Sequence, residues 1–198
     1  MNNKIVLITG AGKGIGYDLA KKLNNNKVKT YCILRDEKDL KKFKRLRNCI
    51  TILGDITKIN DIKKIFILAK KNKDEINCLV NNAGIRQKIK IKKLSNEKIR
   101  EIFDINFFAQ YNCIKLFLEN KKKNIKASIV NIGSIVGQVG FKDLLGYAST
   151  KAALSGMTKC LALELGHENI RTNLVNPGFV KTSYYKKFKK KKNYTNGL

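Results

Sequence analysis

A single proline, a single histidine, no tryptophan and only 15 acidic residues against 42 basic ones limit what this chain of 198 residues can be. The lone histidine, His167, follows a helical pattern beside Gly166 and reads as a solvated loop residue, so a metal centre would want for ligands and none is expected. The cysteines (Cys32, Cys49, Cys78, Cys113 and Cys160) are odd in number and form no Cys-x-x-Cys pair. Each lies in or beside an apolar run, where a buried free thiol is the expected state. No apolar stretch reaches the roughly 18–20 residues of a membrane span, and no membrane partner is expected. Met1-Asn2-Asn3-Lys4 runs straight into a strand pattern without a signal-peptide apolar region, which points to a cytoplasmic protein.

The shortage of acids leaves a net charge of +27. Such a balance invites a nucleic-acid reading, because cations neutralise phosphates. The basic residues are, however, 36 Lys and only 6 Arg, and arginine is the better reader of phosphates and bases. The lysines are also spread over nearly every element. With 22 Asn and 24 Ile alongside, a general drift toward Lys, Asn and Ile accounts for the charge, and no nucleic-acid partner is expected. An acidic protein partner is compatible with it. The apolar fraction of 43% and the length together indicate one globular domain.

Short apolar runs alternate with helical patterns along the chain. Ile5–Ile8, Thr30–Leu34, Ile50–Leu53, Ile76–Val80, Ser128–Ile132 and Thr172–Val175 read as buried strands. Between them, Ile15, Leu19, Ala20 and Leu23 fall on one helical stripe, as do Ile59, Ile62, Ile65, Phe66 and Ala69. A long helix is expected near Asn96–Asn120, and Pro177 follows the last strand. This alternation predicts an α/β fold with a doubly wound parallel sheet of the Rossmann type and about six strands. Residues 1–183 are read as one catalytic, dinucleotide-binding domain and 184–198 as a solvated basic tail.

Two motifs carry chemistry. Thr9-Gly10-Ala11-Gly12-Lys13-Gly14-Ile15-Gly16 follows the first strand and opens the first helix, the context in which a glycine motif can hold a dinucleotide. Its bare backbone can approach a pyrophosphate while the first helical turn points N–H groups at the oxygens. Farther on, Tyr147 and Lys151 lie one helical turn apart, so phenol and ammonium share a face. A nearby cation would favour the phenolate and draw its pKa from about 10 toward the working range. Ser134 could hold a carbonyl oxygen beside that phenol.

Gly10-x-x-x-Gly14-x-Gly16, then Asn81-Asn82-Ala83-Gly84, Asn106, Ser134, Tyr147 and Lys151 together resemble the short-chain dehydrogenase/reductase family, over roughly residues 4–183. In the lengths between motifs the chain is most similar to beta-ketoacyl-acyl-carrier-protein reductases. The resemblance implies a carbonyl–alcohol oxidoreductase in which Tyr147 is the general acid and Lys151 its pKa-lowering partner and a ligand of the nicotinamide ribose. It makes Ser134 the group that polarises the carbonyl, and Asn106 the holder of a water that relays protons from Lys151. It gives Gly10, Gly12, Lys13, Gly14, Ile15 and Gly16 to the pyrophosphate turn, and Asn82, Ala83 and Gly84 to the wall of the cofactor site. It places Asp55 with Ile56 at the adenine, and Pro177, Gly178, Val180 and Thr182 over the nicotinamide. Asp55 could instead cap the following helix, and Asn82 could merely satisfy turn backbone. Family members that prefer NAD carry an acid at the end of strand two; here Leu34 and Arg35 stand there, with Lys13 near, which favours NADP(H) over NAD(H) unless Asp36 takes the ribose. Dimers of the family form through the helices after strands four and five, so a homodimer is expected, and the substrate implied is a small carbonyl or alcohol compound, free or on an acidic carrier protein. Residues Tyr184–Leu198 resemble none of the family's substrate lid or last strand. That departure leaves a second reading open, a weak or inactive dinucleotide-binding scaffold or redox sensor.

Overall fold

Six runs of β-branched and aliphatic residues pair into one parallel sheet in the computed structural model, which describes residues 4–182. The strands are β1 (Ile5–Thr9), β2 (Lys29–Leu34), β3 (Cys49–Leu53), β4 (Cys78–Asn81), β5 (Ala127–Ile132) and β6 (Ile170–Val175), in the order β3-β2-β1-β4-β5-β6. Every pairing is parallel, with Leu7 opposite Tyr31 on one side and Leu79 on the other. The order reverses between β1 and β4, which makes the carboxyl ends of those strands the crevice where a ligand can enter.

Burial explains the composition of the strands. Val6 and Ile8 face a core shared with Cys32, Leu34, Ala20 and Phe43, whereas Leu7 faces the opposite core with Tyr31, Ile33, Ile65 and Phe117. A central strand covered on both faces must be apolar throughout, and each fully buried large side chain contributes about 1.5–3 kcal/mol. Strand β6 lies at an edge and reads differently: Ile170 and Thr172 are buried while Arg171, Asn173 and Val175 are exposed.

The covering helices are α1 (Gly14–Asn25), the single turn α2 (Leu40–Phe43), α3 (Ile59–Lys71), α4 (Asn96–Phe103), α5 (Ala109–Asn120) and α6 (Leu145–Leu165). The stripe expected on α3 is buried at Ile62, Ile65, Phe66 and Ala69, but Ile59, at its first position, is exposed. The long helix expected over 96–120 is broken by a π-helical turn, Asp104–Phe108, between α4 and α5. Cys160 is a further correction: it is exposed, because it lies on the solvent-facing stripe of α6 with Ala152, Gly156 and Leu163. Cys32 and Cys113 are buried, Cys49 and Cys78 partly so, and all are free thiols. His167 is exposed in a short turn after α6. The tail read over 184–198, and the domain end at 183, lie outside the described residues. Among the described residues no helix is long and apolar enough to cross a membrane, and no cluster of metal-ligating groups occurs.

Candidate active site

Strand β1 ends at Thr9, whose hydroxyl accepts from the backbone N–H groups of Asn82 and Ala83, each at 3.0 Å. The Asn82 amide donates to the carbonyls of Thr9 and Gly10, also at 3.0 Å. Its side chain thus fastens the end of β4 to the glycine turn, which is the turn-satisfying role. Gly10 has φ +63°, and a Cβ there would sit 2.7 Å from the Ala83 Cα, so both conformation and contact demand glycine. Helix α1 then starts at Gly14 with no side-chain cap on its first N–H groups and no acid in its first turn. Uncapped donors at the positive end of a helix dipole fit a pyrophosphate, and the cradle suits a dinucleotide. Gly12 and Gly16 are buried, Gly14 and Ile15 partly so, and Lys13 is exposed beside them.

Around this turn the other expected cofactor residues take distinct positions. Leu34 is fully buried at the end of β2, and Arg35 is the first exposed residue after it. Asp36 faces Lys38 at 3.8 Å. Asp55 does not cap α3, whose cap position is Lys58; its Oδ1 accepts from the Thr57 N–H and hydroxyl at 2.9 and 2.8 Å, and Ile56 beside it is buried. After β6 the chain returns across the sheet end: the Pro177 carbonyl accepts from Ile135 N–H at 3.1 Å, and Thr182 approaches Gly14. Gly178 and Val180 are exposed between those two anchors.

The four residues expected to do chemistry converge next to that wall. Tyr147 and Lys151 share one face of α6, with the Lys151 ammonium 5.8 Å from the centre of the phenol ring. Lys151 is buried, and its Nζ donates to the Ile132 carbonyl at 2.7 Å, at the end of β5. The Ser134 hydroxyl accepts from Val136 N–H at 3.2 Å and hydrogen-bonds the Tyr147 phenol. Asn106, fully buried in the π turn, accepts from Ile85 N–H at 2.8 Å and donates to the Ile85 carbonyl at 2.9 Å and to the Thr150 hydroxyl at 3.1 Å. A Cβ on Gly84 would lie 3.1 Å from Asn106 Oδ1 and 3.7 Å from Lys151 Nζ. A continuous line therefore runs from the glycine turn through Ala83 and Gly84 to Lys151, Tyr147 and Ser134.

The electrostatics differ from the expectation of a phenol drawn downward by lysine. Burial raises the Tyr147 pKa, and the opposing pulls of the Ser134 hydroxyl and the Arg86 charge do not reverse it. Burial also pushes Lys151 down, to about 8. Desolvation disfavours both charged forms, and Lys151 is not among the groups that pull the phenol down. The phenol stays protonated at neutral pH, as a general acid must.

Several supports carry no motif signal. Asn176 Oδ1 accepts from Ser134 N–H at 3.0 Å, and Thr150 donates to the Tyr147 carbonyl at 2.8 Å. Behind them Asn81, the first residue of the Asn81–Gly84 motif, donates to Asn131, and Asn131, which no motif marked, donates to Thr158, each at 3.0 Å, in a buried polar chain. Only the placement of Asn176 just before Pro177-Gly178 hinted at a role. A separate basic cavity of about 700 Å³, lined by Lys4, Lys126 and Arg171, lies at the opposite, amino-terminal ends of the strands, far from these groups.

The fold recurs in known proteins. The family model described as short chain dehydrogenase matches residues 4–193. The chain is 34% identical to a 3-oxoacyl-acyl-carrier-protein reductase of Buchnera aphidicola, over 90% of this chain and 74% of that protein. It is 31% identical to an uncharacterized oxidoreductase of Saccharomyces cerevisiae, over 92% of this chain but only 62% of that protein, so it spans about three fifths of that relative's length. Among solved structures, an actinorhodin polyketide ketoreductase variant with NADPH superposes with a TM-score of 0.90 at 25% identity, covering 100% of this chain and 78% of that one.

Proposed function

Since the chain belongs to the short-chain dehydrogenase family, we propose that it is an NADP(H)-dependent oxidoreductase that interconverts a carbonyl and a secondary alcohol. The observation that carries this reading is the convergence of the Tyr147 phenol, the Ser134 hydroxyl and the Lys151 ammonium at the end of β5, in line with the glycine turn. A nicotinamide bound along that line supplies or accepts the hydride. In reduction, Ser134 donates to the substrate carbonyl oxygen and Tyr147 transfers its proton to the same atom. Lys151, close to its own titration point at about 8, can restore the phenol proton; Asn106, buried and held by Ile85 and Thr150, is proposed to hold a relay water beside it. Arg35 and Lys13, both exposed beside the turn, support the preference for the 2′-phosphate of NADP.

A beta-ketoacyl thioester is the substrate class that the similarity to the Buchnera reductase supports, and the net charge of +27 would suit delivery by an acidic carrier protein. A homodimer is supported by an apolar face on the π turn, α5 and α6, where Phe108 and Tyr111 are about half exposed and line a hollow with Phe107 and Met157.

The test is NADPH oxidation with a beta-ketoacyl thioester, simple ketones and ketosugars, with Tyr147→Phe as control. Loss of about 10²–10⁴-fold in kcat with NADPH binding retained is expected if the phenol is the acid. Full activity in Tyr147→Phe would remove the proposed role. Tight NADPH binding by the parent chain without turnover of any of these would favour the scaffold reading.

A further inference from the structure

The wall of the cofactor site holds a charge pair that no motif announces. Asp39 is the last residue of the short 3-10 turn Glu37–Asp39 after Arg35 and is only 6% exposed. Its carboxylate lies against Gly12: a Cβ built there would overlap Oδ2 and sit 3.0 Å from the carboxyl carbon. Gly12 does not have the positive φ of Gly10 or Gly14, so it is the carboxylate, not the backbone conformation, that excludes a side chain at this position. The ammonium of Lys42, one turn farther on, lies 2.6 Å from Asp39 Oδ1 and donates to the Gly12 carbonyl at 3.0 Å. The Lys42 side chain is 43% exposed, and its Nζ lies 5.8 Å from the centre of the Tyr17 ring.

An unpaired carboxylate at this point would work against Arg35 and Lys13. It would repel a phosphate on the adenosine ribose and would accept hydrogen bonds from free ribose hydroxyls, the behaviour of a site that prefers NAD. We propose that Lys42 is a specificity-determining residue, which lets this chain take a 2′-phosphorylated adenosine by cancelling the charge of Asp39 beside Gly12. The inference rests on the NADP(H) reading above, yet its effect is a change in a ratio that can be measured whichever cofactor the parent chain favours.

The probes are 2′,5′-ADP and 5′-ADP, which report the ribose end without turnover, titrated by calorimetry at fixed ionic strength. Lys42→Met should weaken 2′,5′-ADP by about tenfold relative to 5′-ADP, since it exposes the phosphate to an unpaired carboxylate. Asp39→Asn should move the ratio the other way, and Asp39→Asn with Lys42→Met should return most of the loss. Lys42→Arg keeps the charge and should leave the ratio near that of the parent, which serves as the control for folding along with thermal melting. Equal weakening of both nucleotides in Lys42→Met, or no recovery in the double variant, would mean that the pair only braces the turn, and the proposal would fall. A parent chain that prefers 5′-ADP would refute the NADP(H) reading, while a Lys42→Met shift in the stated direction would still uphold the charge cancellation.

Discussion

Lys151 is held in an environment that disfavours its charge, and the consequence is measurable in stability. Its pKa is pushed to about 8 by burial, from an ordinary value near 10.4. Below pH 8 the folded protein must keep a desolvated ammonium, offset in part by the Ile132 carbonyl. Between about pH 8 and 10 the unfolded chain binds a proton that the folded chain has released, so stability rises with pH in that window. Lys151→Met should therefore be more stable than the parent at pH 7, by about 1–3 kcal/mol, at the expense of activity. The advantage should shrink steadily as pH approaches 10. Urea midpoints for both proteins at pH 7 and 9.5 decide it, and parallel pH profiles would show that Lys151 does not titrate as its burial implies. The same logic separates this residue from Tyr147, whose pKa burial moves the other way, upward.

At the level of elements, the strands were legible because a sheet covered on both faces leaves little choice of residue: Ile5–Ile8 and Thr30–Leu34 could hardly be anything else. The π turn at Asp104–Phe108 was not legible, since Asn106 reads as an ordinary helical position until its amide is seen clasping both backbone groups of Ile85. Nor was α2, only one turn long, or the Asp39 carboxylate that it brings to Gly12. The Tyr147–Lys151 pair was legible only through the ordered motifs around it, since its spacing alone is common on helices, and its electrostatics depended on burial, which spacing does not report. The apolar side of α5 and α6 also emerged only with the fold, as Leu163 at 85% exposure and Gly156 with open space above it show. Small residues between exposed apolar ones let two helices approach closely. If the chain forms the proposed dimer through this side, the parent should sediment at twice the chain mass and Phe108→Glu combined with Tyr111→Glu at half of that, without loss of the far-UV helical signal. A mass unchanged by that pair of charges would place any dimer contact elsewhere.

For the whole molecule the dominant fact is an excess of positive charge that no internal arrangement can neutralise. With 15 acidic residues against 42 basic ones, pairing every carboxylate would still leave a charge of +27. The pairs present among the described residues are mostly exposed lysines on Asp or Glu, such as Lys64 with Asp61 at 2.7 Å and Lys98 with Glu101 at 2.7 Å. Exposed pairs of this kind contribute little, about 0–1 kcal/mol each, so screening them with salt costs little. Repulsion among the remaining lysines acts over longer distances and is relieved when the screening length contracts from about 20 Å at low salt to about 4 Å near 0.5 M. Added sodium chloride should therefore stabilise the fold, by about 1 kcal/mol or about 2–4 °C in melting midpoint for a chain of this size. Melting at 20 and 500 mM salt measures it directly. A midpoint that falls instead would mean that local ion pairs outweigh the global repulsion, and that the lysines are arranged to attract rather than merely tolerated.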